Sequence, residues 1–596
     1  MPIDFRNTNT VWASVLVETL ARLGLSIAIL SPGSRSTPLT IAFASHPGIE
    51  AIPVLDERSA AFFALGLARK SGLPVVLVCT SGTAGANFYP AVIEARESRV
   101  PLLVLTADRP PELRSCHAGQ AIDQLKLYGN YPNWQAELAI PSLELSMLAY
   151  LRQTVTHAWE RTRFPHAGVV HLNCPFRDPL PPLPEAAAAE LAGGFPSDFF
   201  AVVNPSPSLP VMSGDTTSEV WQIWEKCDRG IIIAGLAQPQ QPERYCKAIA
   251  HLAKTLGWPV LAEGLSPVRN YHSLNPYLIS TYDGILRHPQ LARDLSPDVV
   301  VQIGELPTSK ELRNWLIAHQ PRHWILDPTA ENFDPLHGNT THLRWAIESL
   351  QLPENLEISR DGQYCQRWCE AQSQVREKID RAMEELDAIV EPKAAWLLSR
   401  VLPPQTPFFI ANSMPVRDVE FFWQPGNSGI QPFFNRGANG IDGTLSTALG
   451  IAHRHRSSVM VTGDLALLHD TNGFLLRQFF VGHLTIVLID NHGGGIFEML
   501  PVSQFDPPFE TFFATPQPID FEPLCKTYGV EYERIRDWSQ FVDRLTVLPQ
   551  EGIRVLELKT DRKLDTQWRK QFFTWLETDL DFGQREERGG SRMLRQ

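Results

Sequence analysis

The chain has 596 residues, 43% of them hydrophobic and 20% charged, which excludes a disordered polyelectrolyte and predicts several buried cores. Its 48 prolines and 38 glycines follow no period, which excludes collagen-like and proline-rich fibres. The net charge of -13, with no basic tract, speaks against a nucleic-acid partner, because a run of phosphates would go unneutralised; a single cationic cleft for small anions stays open.

Residues 1–18 show no basic segment followed by an apolar core, so no secretory signal is expected. No apolar run approaches the roughly 20 residues that span a bilayer, so no membrane span is expected. The eight cysteines form no CxxC pair, the nearest spacing being Cys365 and Cys369, and no further zinc ligands stand near them. Free thiols in a reducing, cytoplasmic compartment are expected.

From there one pattern recurs: a short Val/Ile/Leu run, a Gly/Ser/Asp turn, then a helix-like stretch. Such runs fall at 26–30, 75–79 and 101–105, at 230–234, 298–304 and 323–326, and at 407–410, 459–462 and 484–489. Continuous apolar runs of this length suit strands buried on both faces, and their alternation with helices predicts doubly wound parallel sheets. Three α/β units are expected, at 1–180, 205–350 and 391–580, with no detectable sequence repeat among them. The stretch 178–210, with PLPPLPE, an alanine run and SPSLP, predicts an extended linker. The stretch 351–390 is charged and helical in period, which predicts a long surface helix connecting two units and ending before Pro392. The polar tail 581–596 is expected to fray. The segment GIIIAGLAQPQ at 230–240 lacks GxGxxG and the acidic residue that should follow it, which argues against a dinucleotide site. The HRHR run at 453–456 reads as a solvated loop.

The richest segment is 459–497, VMVTGDLALLHDTNGFLLRQFFVGHLTIVLIDNHGGGIF. It reads as strand, Gly463-Asp464, helix, strand, then Asp490-Asn491 and a glycine run. Ligands of parallel sheets bind at the carboxyl ends of strands, and Asp464 and Asn491 both stand there, one helix and one strand apart. A carboxylate and an amide oxygen are hard donors. With a backbone carbonyl from the glycine run they make the partial oxygen shell that magnesium completes with phosphate and water. The helix after Asp464 offers N–H groups to a diphosphate, and glycines 493–495 permit close backbone approach. An Asp cap and an unrelated Asn turn would give the same spacing.

This GD…N arrangement resembles the thiamine diphosphate motif, with Leu465 where glycine is usual and Asp490-Asn491 where an asparagine pair is usual. The resemblance implies thiamine diphosphate with Mg2+ or Mn2+, and Asp464, Asn491 and the Gly493 carbonyl as metal ligands. It also implies a carboxyl group that protonates the aminopyrimidine ring. Glu57, in VLDERSAAFFALGLARKSG, is the candidate, a first-turn helix acid or an ion pair with Arg58 being the other readings. The turn Thr80-Ser81-Gly82 that follows the next strand can approach a flat ring. In such enzymes the two lobes usually come from different subunits, which implies a homodimer or a dimer of dimers.

Four strings narrow the resemblance: LSPGSRSTPLTIAFA (30–44), LTADRPPELRSCHAGQAIDQ (105–124), ANSMPVRDVE (411–420) and NRGANGIDGTLSTALG (435–450). They resemble the 2-succinyl-5-enolpyruvyl-6-hydroxy-3-cyclohexene-1-carboxylate synthase family. That implies three doubly wound parallel-sheet domains: pyrimidine-binding (1–180), central (205–350) and diphosphate- and metal-binding (391–580). It implies decarboxylation of 2-oxoglutarate and 1,4-addition of the resulting succinyl group to isochorismate, in menaquinone or phylloquinone biosynthesis. Both substrates are dicarboxylates, which suits Arg35, Arg109, Arg417 and Arg436, each in a loop after an apolar run, since guanidinium grips carboxylate bidentately. By position in the strings, Ser34, Arg35, Arg109, Gln120, Ser413, Arg417 and Arg436 are expected substrate contacts, joined by Lys310 of the middle unit. Among these, Arg35, Gln120 and Arg417, with Glu57, are the expected catalytic set. Thr80, Ser81, Gly82, Ser413, Gly463 and Leu465 are expected against the cofactor, with Ile441 bending it and Ile496 and Phe497 as apolar walls. An acetolactate-synthase-type enzyme would share Glu57, Asp464 and Asn491 without needing the four arginines. A scaffold with an inherited fold would bind cofactor and not turn over.

Overall fold

The computed structural model describes residues 3–204, 218–350 and 362–578. Its strands form three six-stranded sheets, and every pairing between them is parallel. The apolar runs become strands because both faces are covered: Val75–Cys79, Leu102–Asp108 and Val169–Pro175 are buried at every residue. From edge to edge the N-terminal sheet runs Glu50–Pro53, Ile27–Leu30, Val75–Cys79, Leu102–Asp108, Val169–Pro175, Trp134–Glu137. The central sheet runs Asn339–Leu343, Arg322–Leu326, Val299–Ile303, Gly230–Ala234, Val260–Ala262, Leu278–Ile279. The C-terminal sheet runs Gln431–Phe433, Pro407–Ile410, Ser458–Gly463, His483–Asp490, Gly552–Lys559, Glu531–Arg534.

Counted within each unit, the first and third sheets share one strand order, 2-1-3-4-6-5, while the central one is 6-5-4-1-2-3. The sequence shows no repeat, yet the outer domains have the same topology. In that order the first and third strands are neighbours from which the chain departs in opposite directions. The crevice beyond their carboxyl ends is the place where such sheets bind ligands. In the N-terminal domain those ends lead into Ser31–Ser36 and Thr80–Gly82; in the C-terminal domain they lead into Asn412–Ser413 and Asp464.

The helices that follow the second strand of each outer sheet, Glu57–Ser71 and Thr444–Ala452, pack directly on each other and weld the two domains. Glycines make the crossing possible. A Cβ on Gly66 would lie 2.1 Å from the Thr447 carbonyl oxygen, and one on Gly450 would lie 2.2 Å from that of Phe63. Gly66→Ala must therefore push the helices apart; it is expected to destabilise the fold by about 3 kcal/mol, read as a lowered thermal midpoint.

Two connecting segments differ from a simple linker reading. Within 178–210, the residues 178–204 are not free chain. The helix Ala186–Gly194 buries Ala188, and Phe199, Phe200 and Val203 join the N-terminal core. Prolines supply no N–H for a sheet, so the carbonyls here are satisfied by side chains: Asn7 donates to Pro181 O at 2.9 Å and Leu183 O at 3.1 Å, and Asn9 donates to Arg177 O at 2.8 Å and Pro179 O at 2.9 Å. Residues 205–210 lie outside the described residues. The connecting helix is Gln363–Glu384, ending ahead of a new helix, Glu391–Val401, with Pro392 in its first turn. Its face Trp368, Ala371, Val375, Ile379 and Met383 is buried in one core with central and C-terminal residues, so it is half interior, not merely surface. Residues 351–361 and the tail 581–596 lie outside the described residues.

Candidate active site

In the C-terminal domain the carboxyl ends of the first, third and fourth strands of the sheet enclose a cavity of about 270 Å³. Its lining includes Ser413, Arg417, Arg436, Ile441, Gly463, Asp464, Leu465, Asn491, Gly493, Ile496 and Phe497. Asp464 and Asn491 are both buried and line the same cavity. Asp464 accepts from the Leu465 N–H at 2.7 Å and, across the cavity wall, from the Gly493 N–H at 2.8 Å. Burial raises its pKa to about 7, with like charge from Asp490 and Glu391 adding to the effect. Asn491 donates through Nδ2 to Glu391, and its Oδ1 is buried with no hydrogen-bond partner among the described residues. A buried, unpartnered amide oxygen beside a buried carboxylate is the arrangement a hard divalent cation would satisfy. Thus the residues fit Mg2+ or Mn2+. The Gly493 carbonyl accepts from the Gly495 N–H at 2.8 Å and keeps a second lone pair.

Two details differ from the sequence reading. The helix after Gly463 is only Asp464–His469, six residues long, and the Leu465 N–H is taken by the Asp464 side chain. Little macrodipole is left at this helix start. The glycine run is needed for protein packing as well: a Cβ on Gly493, at φ 122°, would meet the Ala514 carbonyl oxygen at 2.2 Å.

The cationic side of this cavity rests on Asn412 and Ser413, at the end of the strand Pro407–Ile410. Ser413 adopts φ 75° and ψ -128°, a conformation a non-glycine residue reaches only where surrounding contacts hold it. Its carbonyl accepts from Arg417 Nη1 at 2.6 Å, one turn into the helix Met414–Phe422. Asn412 accepts from Arg436 Nη1 at 3.0 Å while donating to Asn435 O and Gly440 O at 2.7 Å each, so it ties the two arginine-bearing loops together. Sequence reading missed Asn412, although it stands inside one of the four strings. Burial depresses the guanidinium pKa of Arg417, and Arg436 adds repulsion. Arg436 Nε has no hydrogen-bond partner among the described residues. Burial also depresses the Arg436 guanidinium pKa, while Glu263, Glu305 and Glu94 oppose the shift, so the two half-buried arginines give this side of the cavity a cationic wall that suits an anion.

The N-terminal candidates gather elsewhere in the chain; none of them lines this cavity. Arg35 is buried, donates to Phe176 O at 2.9 Å and stands 3.5 Å from the exposed Asp178. Ser34, beside it, is exposed. Arg109 donates to Ser81 Oγ. Its pKa is lowered by burial and then by Arg35, so these two arginines form a second cationic pair. Thr80 and Ser81 are buried, and Gly82, at φ 89°, approaches Gln120, itself at φ 56°. The turn is held by Gln124, the last residue of the 105–124 string. Buried, it accepts from the Gly82 N–H at 2.9 Å and donates to Asn173 at 2.9 Å. Glu57 begins its helix behind the Asp56 cap and is half-buried; burial raises its pKa, and Asp56 adds to the rise. Arg58 turns away from Glu57 and donates to His469 O at 2.6 Å, which removes the ion-pair reading. Lys310 is exposed at the start of the helix Lys310–His319 and does not line the cavity. Its neighbour Thr308 receives Arg436 Nη2 at 3.5 Å, so the central domain does reach the site.

Comparisons with known proteins identify the family. The N-terminal thiamine pyrophosphate-binding domain of thiamine pyrophosphate enzymes matches residues 11–127, and the middle domain of thiamine pyrophosphate enzymes matches 211–410. The 2-succinyl-5-enolpyruvyl-6-hydroxy-3-cyclohexene-1-carboxylate synthase of Trichormus variabilis is 63% identical over 575 residues, covering 96% of this chain and 98% of its own. The chain belongs to the 2-succinyl-5-enolpyruvyl-6-hydroxy-3-cyclohexene-1-carboxylate synthase family. Synthases of the same name from Trichodesmium erythraeum, 63% identical over 572 residues, and from a Synechococcus strain, 55% identical over 580 residues, cover 96% of this chain and 98% and 97% of their own. As a member of this synthase family, the chain is a thiamine diphosphate enzyme of the transferase class with three parallel-sheet α/β domains. Among the described residues no cysteine is in a disulfide. Among the described residues no helix is long and apolar enough to cross a membrane.

Proposed function

We propose that this chain condenses 2-oxoglutarate with isochorismate, releasing carbon dioxide and forming 2-succinyl-5-enolpyruvyl-6-hydroxy-3-cyclohexene-1-carboxylate, in the cytoplasm, on the route to menaquinone or phylloquinone. The observation that carries this reading is the pairing of a metal-competent Asp464/Asn491 corner with two arginines, Arg417 and Arg436, in one cavity. A cofactor diphosphate and dicarboxylate substrates need those two chemistries side by side.

When bound, thiamine diphosphate supplies the nucleophilic carbon and takes up the electron pair left by carbon dioxide. The protein's residues do the rest. Asp464, Asn491 and the Gly493 carbonyl hold Mg2+ or Mn2+, with Gly463, Leu465 and Ser413 along the cofactor. Arg417 and Arg436 fix substrate carboxylates and balance developing negative charge. Ile441, Ile496 and Phe497 shape the apolar side and exclude water. Glu57 holds a proton at its carboxyl against the aminopyrimidine ring, beside Thr80, Ser81 and Gly82. Ser34, Arg35, Arg109 and Gln120 receive a substrate carboxylate, joined by Lys310 of the central domain.

Within one chain these two groups occupy separate sheet ends. We infer that residues 1–180 of one protomer complete the cavity formed by 391–580 of another, so the working unit is a homodimer or a dimer of dimers. Leu55, beside Glu57, is 67% exposed, as expected of a residue that a second protomer covers.

The test is an assay with 2-oxoglutarate, isochorismate, thiamine diphosphate and Mg2+, following loss of isochorismate absorbance. Turnover that needs all four components is expected. Carbon dioxide release from pyruvate, with none from 2-oxoglutarate, would overturn the reading.

A further inference from the structure

An amide is asymmetric: one side accepts hydrogen bonds and the other donates. A metal-facing asparagine is useful only if its oxygen points at the ion, and nothing in the metal corner itself distinguishes the two orientations of Asn491. The residue behind it does. Asn491 Nδ2 donates to one oxygen of Glu391, which leaves Oδ1 unpartnered on the opposite side. The other Glu391 oxygen receives Arg569 Nη2 at 2.5 Å. Arg569 is clamped in turn by Asp418, at 2.6 Å from Nη2 and 3.0 Å from Nε. The Glu391 backbone N–H is anchored by Asp565 at 3.2 Å. Glu391, Asp418, Asn491 and Arg569 are 3%, 3%, 6% and 1% exposed, so water cannot substitute for any of these bonds.

We propose that Glu391, held by Arg569 of the C-terminal helix, is a positioning residue that locks the Asn491 amide with its oxygen toward the divalent ion. The proposal rests on the cofactor reading above. It gives the helix Arg562–Thr578 a role in the metal site, although the helix supplies no ligand. The same helix also steadies the neighbouring loop, where Arg562 donates to His492 O at 2.6 Å and to Glu498 at 3.0 Å. Outer partners that orient metal ligands typically change metal affinity by roughly 10–100-fold when altered.

Glu391→Gln separates orientation from bulk. The introduced amide is the same size as the carboxylate it replaces, but its single oxygen is drawn to Arg569, a donor only, which leaves its NH2 facing Asn491. The Asn491 amide must then turn and present its own NH2 to the ion. Mn2+ binding to the full chain with saturating thiamine diphosphate, read by electron paramagnetic resonance, is expected to weaken roughly 10–100-fold. Asn491→Asp in that background supplies an oxygen to both neighbours. It should improve Mn2+ affinity by a larger factor there than in the otherwise unaltered chain, where the introduced carboxylate would face that of Glu391. Unchanged Mn2+ affinity in Glu391→Gln, or equal effects of Asn491→Asp in both backgrounds, would overturn the proposal alone. Failure of the unaltered chain to bind Mn2+ with thiamine diphosphate would overturn the cofactor reading and this inference with it. Should Glu391→Gln not fold by circular dichroism, the double variant is compared with Asn491→Asp: tighter Mn2+ binding by the double supports the relay, and equal or weaker binding overturns it.

Discussion

Glu57→Gln is expected to lower kcat by at least about 100-fold, the scale on which a positioned acid or base contributes, while leaving thiamine diphosphate affinity nearly unchanged. The substitution preserves size and the helix start, because the cap is Asp56, which bonds Arg58 N at 2.9 Å and Ser59 N at 3.3 Å. What it removes is an exchangeable carboxyl proton. Burial disfavours the charged form, so Glu57 keeps its proton to higher pH than an exposed glutamate. If the protonated acid is required, the rate of the unaltered enzyme falls as pH rises through that elevated pKa, and the residual rate of Glu57→Gln lacks this limb. Initial rates across pH, with calorimetric cofactor titration, check both statements. Near-normal turnover would refute the proton role.

Asp464→Ala is expected to abolish metal-dependent cofactor binding, a larger loss than the roughly 10–100-fold produced by altering an outer partner. The carboxylate serves twice: as a hard donor in the cavity and as acceptor for the Leu465 and Gly493 N–H groups, which shape the metal loop. Its removal deletes one ligand and frees the loop that carries two others. Asp464→Asn keeps one acceptor oxygen without the charge and should fall between the two. Thiamine diphosphate titrations with Mg2+ and with EDTA provide the measurement. Affinity that stays at the unaltered level in Mg2+ would take Asp464 off the ligand set.

How much of this was legible beforehand depends on which features are local. The strands were legible because a run such as VVLVC, buried at all five residues, satisfies one simple requirement, apolar side chains on both faces. The edge strand Glu531–Arg534, with no buried residue, carries no such signal. The linker at 178–204 was misread for a related reason. Proline content reports that the chain cannot pair in a sheet, and says nothing of Asn7 and Asn9, whose amides collect its carbonyls from far along the chain. At the site, cavity-lining residues such as Arg417, Arg436, Asp464 and Asn491 stood out by type and string. Residues that act through others did not. Position 391 marked only the start of a unit, Arg569 carried no signal at all, and Gln124 was simply the last residue of a string.

By itself the sequence determined the fold class, the family and the kinds of group available for chemistry, because hydrophobic periodicity and contiguous strings are properties of neighbours along the chain. Only the tertiary structure decided that the two outer sheets share one topology and that the arginines and the metal corner share a cavity. It alone placed the Glu57 side at a different sheet end and put a buried ionic chain behind Asn491. Those facts depend on which carbonyl, amide or guanidinium ends up within hydrogen-bond reach of which partner, and such distances between segments hundreds of residues apart are set by packing, not by adjacency.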